Sequence, residues 1–240
     1  MTAVSGRAES GPAATQVAAS RRRPTWLVPV TLAAFAVLAL PLDLAVVRGA
    51  TSGHLPGSVE KAIRLSEAFA HGVGATVILI AVFLLDRANR ARIPRLIAGT
   101  VLGGLLANGI KLIVSRTRPR AFDLHGNVLD SFSGWFSLGR LPSLQEGFPS
   151  AHAATGFALA SMLSWRYPAG RTFFFVLAAV SGAQRIVSAA HFPSDVLFGA
   201  ALGVLGAWLC LPGGLASAPF DRIEARHGVR PRGDGARSGA

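Results

Sequence analysis

Six long apolar stretches divide the middle of this chain, at about 26–47, 68–85, 95–114, 152–166, 172–190 and 194–212. A helix crosses a bilayer with roughly 20 predominantly apolar residues. The fourth stretch, only about 15 residues long, suits a buried helix as well as a span. Charges, prolines and glycine punctuate the series. Arg87, Arg90, Arg92 and Pro94 part the second stretch from the third, Tyr167, Pro168 and Gly170 the fourth from the fifth, and His191 and Pro193 the fifth from the sixth. Composition agrees: 51% of the 240 residues are apolar and only 15% charged, against about a quarter charged in a soluble domain. The expected fold is all-α, a bundle of six transmembrane helices over residues 23–215. Residues 1–22 and 216–240 are small, polar and Arg-bearing, with little apolar surface to offset the entropy of ordering. They read as a disordered tail and a basic tail.

The formal net charge is +12, and 22 of the 24 basic residues are Arg. With six spans both tails share one side. Together with the second-third and fourth-fifth connections they hold 15 basic residues, against nine on the other side. The positive-inside rule then puts both termini in the cytoplasm of a multi-pass cell-membrane protein. The charge therefore records topology, and no nucleic-acid partner is expected. Ser20–Leu27 resembles a twin-arginine signal, but the apolar run continues for about 20 residues, as an anchor does. The single Cys210 excludes an intrachain disulfide and a Cys-based zinc site. Gly99 with Gly103, and Gly199 with Gly203, have the small-xxx-small spacing that lets helices approach closely in lipid.

Ionisable residues within such stretches are costly and mark function. Lys111, His152, Arg185, and His191 with Asp195 all fall at the outer side of the bundle. Lys111 and Arg118 are seven apart, near two helical turns, and are expected on one face at the outer end of the third helix, which Pro119 ends. Arg118 and Arg185 offer forked donors to an oxyanion, and Lys111 adds a point charge. Ser150 and Ala151 open the fourth helix, whose free N–H groups form a further anion cradle. His191 and Asp195, four apart, suit a carboxylate orienting an imidazole nucleophile, which leaves His152 for proton transfer.

Lys111 with six residues to Arg118-Pro119, then Pro149-Ser150-Ala151-His152, then Arg185 with five residues to His191 and three more to Asp195, resemble the three motifs of the type 2 phosphatidic acid phosphatase family, whose superfamily includes vanadium haloperoxidases. The resemblance implies that His191 forms a phosphohistidine, that Asp195 orients it, and that His152 is the general acid. It further implies that Lys111, Arg118, Ser150, Ala151 and Arg185 hold the phosphate, with no metal and no cofactor. Two positions depart from the usual pattern, Ala151 where Gly is common and Gln184 where Ser is common.

His54, His71, His125 and His227 read as structural, and Glu67 with His71 stays unassigned as an interfacial pair or a substrate contact. Three metal ligands in His152, His191 and Asp195 would sit beside three repelling cations. A Ser150-His152-Asp195 hydrolase lacks a nucleophile elbow. Phe132, Trp135, Phe136 and Leu138 have helical spacing, and read either as an interfacial helix admitting a lipid or as a packed lid. The expected protein is an integral membrane phosphatase acting on a lipid phosphomonoester or pyrophosphate at the extracytoplasmic face. Its alternatives are a lipid phosphotransferase, or a non-catalytic membrane binder or transporter of lipid phosphate.

Overall fold

A computed structural model describes residues 26–53, 56–136 and 146–228. The expected disordered tail over residues 1–22, together with His54 and Leu138, lies outside the described residues. Helix α1 (Leu27–Ala39) runs through a 3-10 turn at Leu40–Leu42 into α2 (Asp43–Ser52). Helices α3 (Gly57–Ala70) and α4 (Gly72–Leu85) meet at His71 with a 68° bend. There the His71 imidazole caps α4 by accepting from the Val73 N–H. A 3-10 segment, Arg87–Arg92, leads into α5 (Ile93–Lys111), whose Pro94 falls in the first turn, where its missing N–H costs nothing. After a short hairpin come α6 (Ala151–Arg166), α7 (Arg171–Val187), α8 (Pro193–Cys210) and α9 (Ala218–Arg226).

The fold is mostly helical. Among the described residues three helical stretches are long and apolar enough to cross a membrane, Leu27–Ser52, Arg87–Lys111 and Pro193–Cys210, and the bent pair α3–α4 makes a fourth. Helices α6 and α7, of 16 and 17 residues, are shorter. Helix α8 is the most buried of the candidate spans and packs against α1, α5 and α6. Large apolar side chains such as Leu38, Leu85, Leu105 and Phe173 point outward, the surface that a hydrocarbon solvent requires.

Glycines set the closeness of the central packing. A Cβ on Gly203 would lie 2.2 Å from the Ala154 carbonyl oxygen, and one on Gly103 2.7 Å from the Ala158 Cβ. Both glycine pairs anticipated from spacing thus stand at the crossings of α5, α6 and α8. Gly203→Ala is expected to destabilise the bundle by about 1–3 kcal/mol, because the blocking atom is backbone. Thermal unfolding in detergent checks this, with Gly109→Ala, where a Cβ meets nothing within 4 Å, expected to lose nothing.

Four expectations are corrected. The fold is not wholly α, because β1 (Val114–Arg116) pairs antiparallel with β2 (Phe132–Trp135). Phe132 and Trp135 therefore belong to a strand and not to an interfacial helix, their aromatic rings suiting extended backbone. Lys111 and Arg118 do not share a helix face, because α5 ends at Lys111 and the chain turns extended before Arg118. Finally, residues 216–240 are not all an unstructured tail. Helix α9 docks on the bundle through the buried Arg95, whose Nε donates to Glu224 (2.6 Å), Nη2 to Asp221 (2.5 Å) and Nη1 to the Cys210 carbonyl (2.7 Å).

Candidate active site

Alternating helix direction brings the C-terminal ends of α5 and α7 together with the N-terminal ends of α6 and α8. Lys111, Ser150, Arg185 and Asp195 lie at those ends, and Arg95, Arg166 and Arg171 at the opposite end of the same helices. The segment before α6 knits the near end together. The Gly147 N–H donates to the Arg116 carbonyl (2.7 Å), and the Ser150 N–H donates to the Asp195 carbonyl (3.0 Å).

Lys111 Nζ donates to the Glu146 carbonyl at 2.6 Å, which fixes the ammonium beside this segment. Arg118 precedes Pro119 in extended conformation, as a residue before proline prefers. Burial first, and then the neighbouring Arg120 and Arg185, lower its affinity for its proton below the ordinary arginine value. Ser150 caps α6, its Oγ accepting from the Ala153 N–H at 3.3 Å. Ala151 is the first residue of α6 with no left-handed backbone, so its methyl leaves the helix N-terminus intact.

His191 is almost fully buried, and its Nδ1 lies 2.7 Å from the Gly147 carbonyl oxygen. A carbonyl only accepts, so the proton sits on Nδ1 and Nε2 keeps its lone pair. Burial, together with the charges of Lys111, Arg118 and Arg185, lowers the imidazole pKa well below its ordinary 6.5. His191 is therefore neutral in the folded protein at neutral pH. His152 Nε2 is buried without a hydrogen-bond partner, 3.5 Å from Glu67 Oε1.

The expected His191–Asp195 hydrogen bond is not formed. Asp195 Oδ2 is 3.9 Å from His191 Nδ1 and accepts instead from the Phe192 N–H at 2.8 Å, while Oδ1 takes Arg116 Nη1 at 2.5 Å. The physical reason is local. Asp195 is the third residue of α8, where a carboxylate satisfies the exposed N-terminal N–H groups, and Gly147 already occupies the imidazole proton.

Two participants went unread in the sequence. Arg116, fully buried, donates from Nε to Ser131 Oγ (2.9 Å), from Nη1 to Ser194 Oγ (2.8 Å) and Asp195, and from Nη2 to Asp43 (2.7 Å), with the Phe132 and Phe192 rings stacked on its guanidinium. Asp43 also accepts from the Ser194 N–H and hydroxyl. An Asp within the first apolar stretch and an Arg directly after the third were the available signals. Glu67, left unassigned, meets Arg185 Nη1 at 2.6 Å. No three His, Cys, Asp or Glu side chains converge as metal ligands among the described residues.

This end of the bundle falls within residues 93–215, which match the sequence model of the PAP2 superfamily. The chain belongs to the PAP2 superfamily. Within the curated proteins, a lipid A 1-phosphatase of Rhizobium johnstonii is 37% identical over 112 residues, 46% of this chain and 42% of that protein. A lipid A 1-phosphatase of Porphyromonas gingivalis is 35% identical over 110 residues, 41% of this chain and 24% of that protein. The matches thus span less than half the length of each relative. Among solved structures, the LpxE crystal structure from Aquifex aeolicus aligns with a TM-score of 0.55 at 23% identity, over 69% of this chain and 92% of that one, which shows a shared fold. The PAP2 match starts at α5 and ends beyond α8, so Asp43 and Glu67 reach the site from outside the matched region.

Proposed function

We propose that this PAP2 protein is a lipid phosphatase that works through a phosphohistidine on His191. The observation that carries the reading is the His191 imidazole itself, with Nδ1 committed to the Gly147 carbonyl and Nε2 free among the charges of Lys111, Arg118 and Arg185. In the first step a bond forms between Nε2 and phosphorus as the ester bond breaks, and His152 gives its proton to the departing oxygen. In the second, His152 takes a proton from water as the water oxygen attacks phosphorus and the N–P bond breaks. Lys111, Arg118, Arg185, the Ser150 cap and the first-turn N–H groups at Ala151 hold the equatorial oxygens, whose charge they neutralise. Asp195, 3.9 Å away, opposes the positive charge that develops on the imidazole and secures the start of α8.

The same reading places six helical spans, α1–α2, α3–α4, α5, α6, α7 and α8, in the cell membrane, with both termini cytoplasmic and the site at the extracytoplasmic ends of the last four. It is supported by the 15-to-nine division of basic residues and by the outward apolar faces. Phosphorylated glycolipid stands first among substrates because of the named activity of the relatives. Phosphatidate, phosphatidylglycerol phosphate and polyprenyl pyrophosphate follow. Detergent-purified protein assayed on all four with EDTA present is expected to release phosphate from at least one. No release from any sinks the phosphatase reading, and release abolished by EDTA sinks metal independence.

A further inference from the structure

We infer that Glu67 is a resident carboxylate that occupies part of the phosphate cradle and must be displaced by the substrate. The inference rests on the reading of Arg185 and His152 as phosphate contacts. One oxygen, Glu67 Oε1, lies 2.6 Å from Arg185 Nη1 and 3.5 Å from His152 Nε2. A single acceptor between a guanidinium and an imidazole repeats the contacts that one phosphate oxygen would make there. The surrounding donors are left unfinished. His152 Nε2 and Arg185 Nε are both buried with no hydrogen-bond partner, so the carboxylate fills the cradle only in part. Arg185 Nη1 turns a further, weaker bond to Gln184 Oε1 at 3.3 Å.

Glu67 is also placed to leave. Its side chain is 35% exposed, against 12% for Arg185, and it stands one turn before the break at His71 where α3 and α4 bend apart. Exchange at Arg185 is a contest between anions. A phosphomonoester dianion brings two charges and more acceptor oxygens than the carboxylate it displaces, and it gains the unfilled donors. A phosphodiester monoanion brings the same single charge as Glu67 and gains little. The resident carboxylate therefore weakens any phosphate ligand at Arg185 by the cost of its own displacement, and it speeds loss of product phosphate by returning to Arg185.

The test is equilibrium binding of inorganic phosphate and of dimethyl phosphate, a monoanionic diester, to the purified protein at pH 8 by calorimetry. Wild type, Glu67→Gln and Glu67→Ala are compared. Both variants are expected to bind inorganic phosphate about tenfold tighter than wild type, or 1.4 kcal/mol, and to bind dimethyl phosphate tighter by no more than that factor. A merely structural prop for Arg185 would move affinity the other way when removed. Unchanged or weaker binding in both variants, or no measurable binding in any of the three proteins, overturns the inference. Phosphate release from lipid by wild type, measured alongside, separates the two readings. Release without tighter binding in the variants overturns only the role of Glu67, whereas tighter binding without release overturns only the phosphatase.

Discussion

His191→Ala is expected to lower phosphate release from a lipid phosphomonoester by roughly 10^5-fold, the scale on which removing an enzymic nucleophile acts. Arg118 and Arg185 still bind phosphate in the variant, so inhibition-type binding of inorganic phosphate should change far less than turnover. In wild type, quenching a reaction with phosphorus-labelled substrate in alkali should trap an acid-labile, alkali-stable phosphoenzyme, which His191→Ala lacks. Unimpaired turnover in His191→Ala would remove the nucleophile from the mechanism. Loss of phosphate binding in parallel with turnover would recast His191 as a binding group.

The burial of His191 adds a pH signature. Its folded pKa lies well below the unfolded value of 6.5 because it is desolvated among Lys111, Arg118 and Arg185. Between the two values the unfolded chain binds a proton that the folded chain refuses, so stability falls as pH falls. The contribution is complete above pH 6.5 and is lost below it, at up to about 1.4 kcal/mol per pH unit. Melting temperatures between pH 7.5 and 5 are expected to decline more steeply for wild type than for His191→Gln. Equal slopes would show that the imidazole does not stay neutral.

The helix ends were legible because they coincide with changes in side-chain chemistry. Arg87 to Pro94 and Tyr167 to Gly170 break apolar runs with residues that hydrocarbon rejects, and the structure turns at both. The glycine pairs were legible for the same kind of reason, since small residues at a four-residue period make a flat stripe. What escaped was pairing across the chain. The β1–β2 hairpin depends on which of two segments 18 residues apart meet, and Arg95 finds Glu224 only after five helices have packed. Helical spacing misled at Phe132 with Trp135, which form a strand, and again at Lys111 with Arg118 and at His191 with Asp195, because a residue interval predicts a contact only if the helix continues through it. In the last two cases a helix boundary falls between the two residues: α5 ends at Lys111, and α8 begins only at Pro193, after His191. Most of the motif chemistry lay in order along the sequence, but Glu67 and Asp43 come from α3 and α2, whose approach to the site no local pattern announces.

Arg116→Met is expected to cost about 3–5 kcal/mol of stability, because it leaves the carboxylates of Asp43 and Asp195 buried with no cation between them. Arg116 and both carboxylates are fully enclosed, and among the described residues the guanidinium is the only group that bonds Ser131, Ser194, Asp43 and Asp195 together. Arg116→Lys keeps the charge but not the fork, so it should recover only part of the loss. Adding Asp43→Asn to Arg116→Met removes one of the two stranded charges and should restore stability relative to the single variant, since the penalty lies in unpaired charge more than in lost contacts. Chemical denaturation in mixed micelles measures all three. The consequence for the site follows from what the network holds. Ser194 and Asp195 are the second and third residues of α8, His191 stands two residues before that helix, and Asp43 ties the same turn to α2. Loosening Arg116 therefore lets the start of α8 move against Gly147, and Arg116→Lys should lose turnover by more than its stability loss explains at temperatures where it is fully folded. Full activity in folded Arg116→Lys would show that the start of α8 is held by its own capping alone.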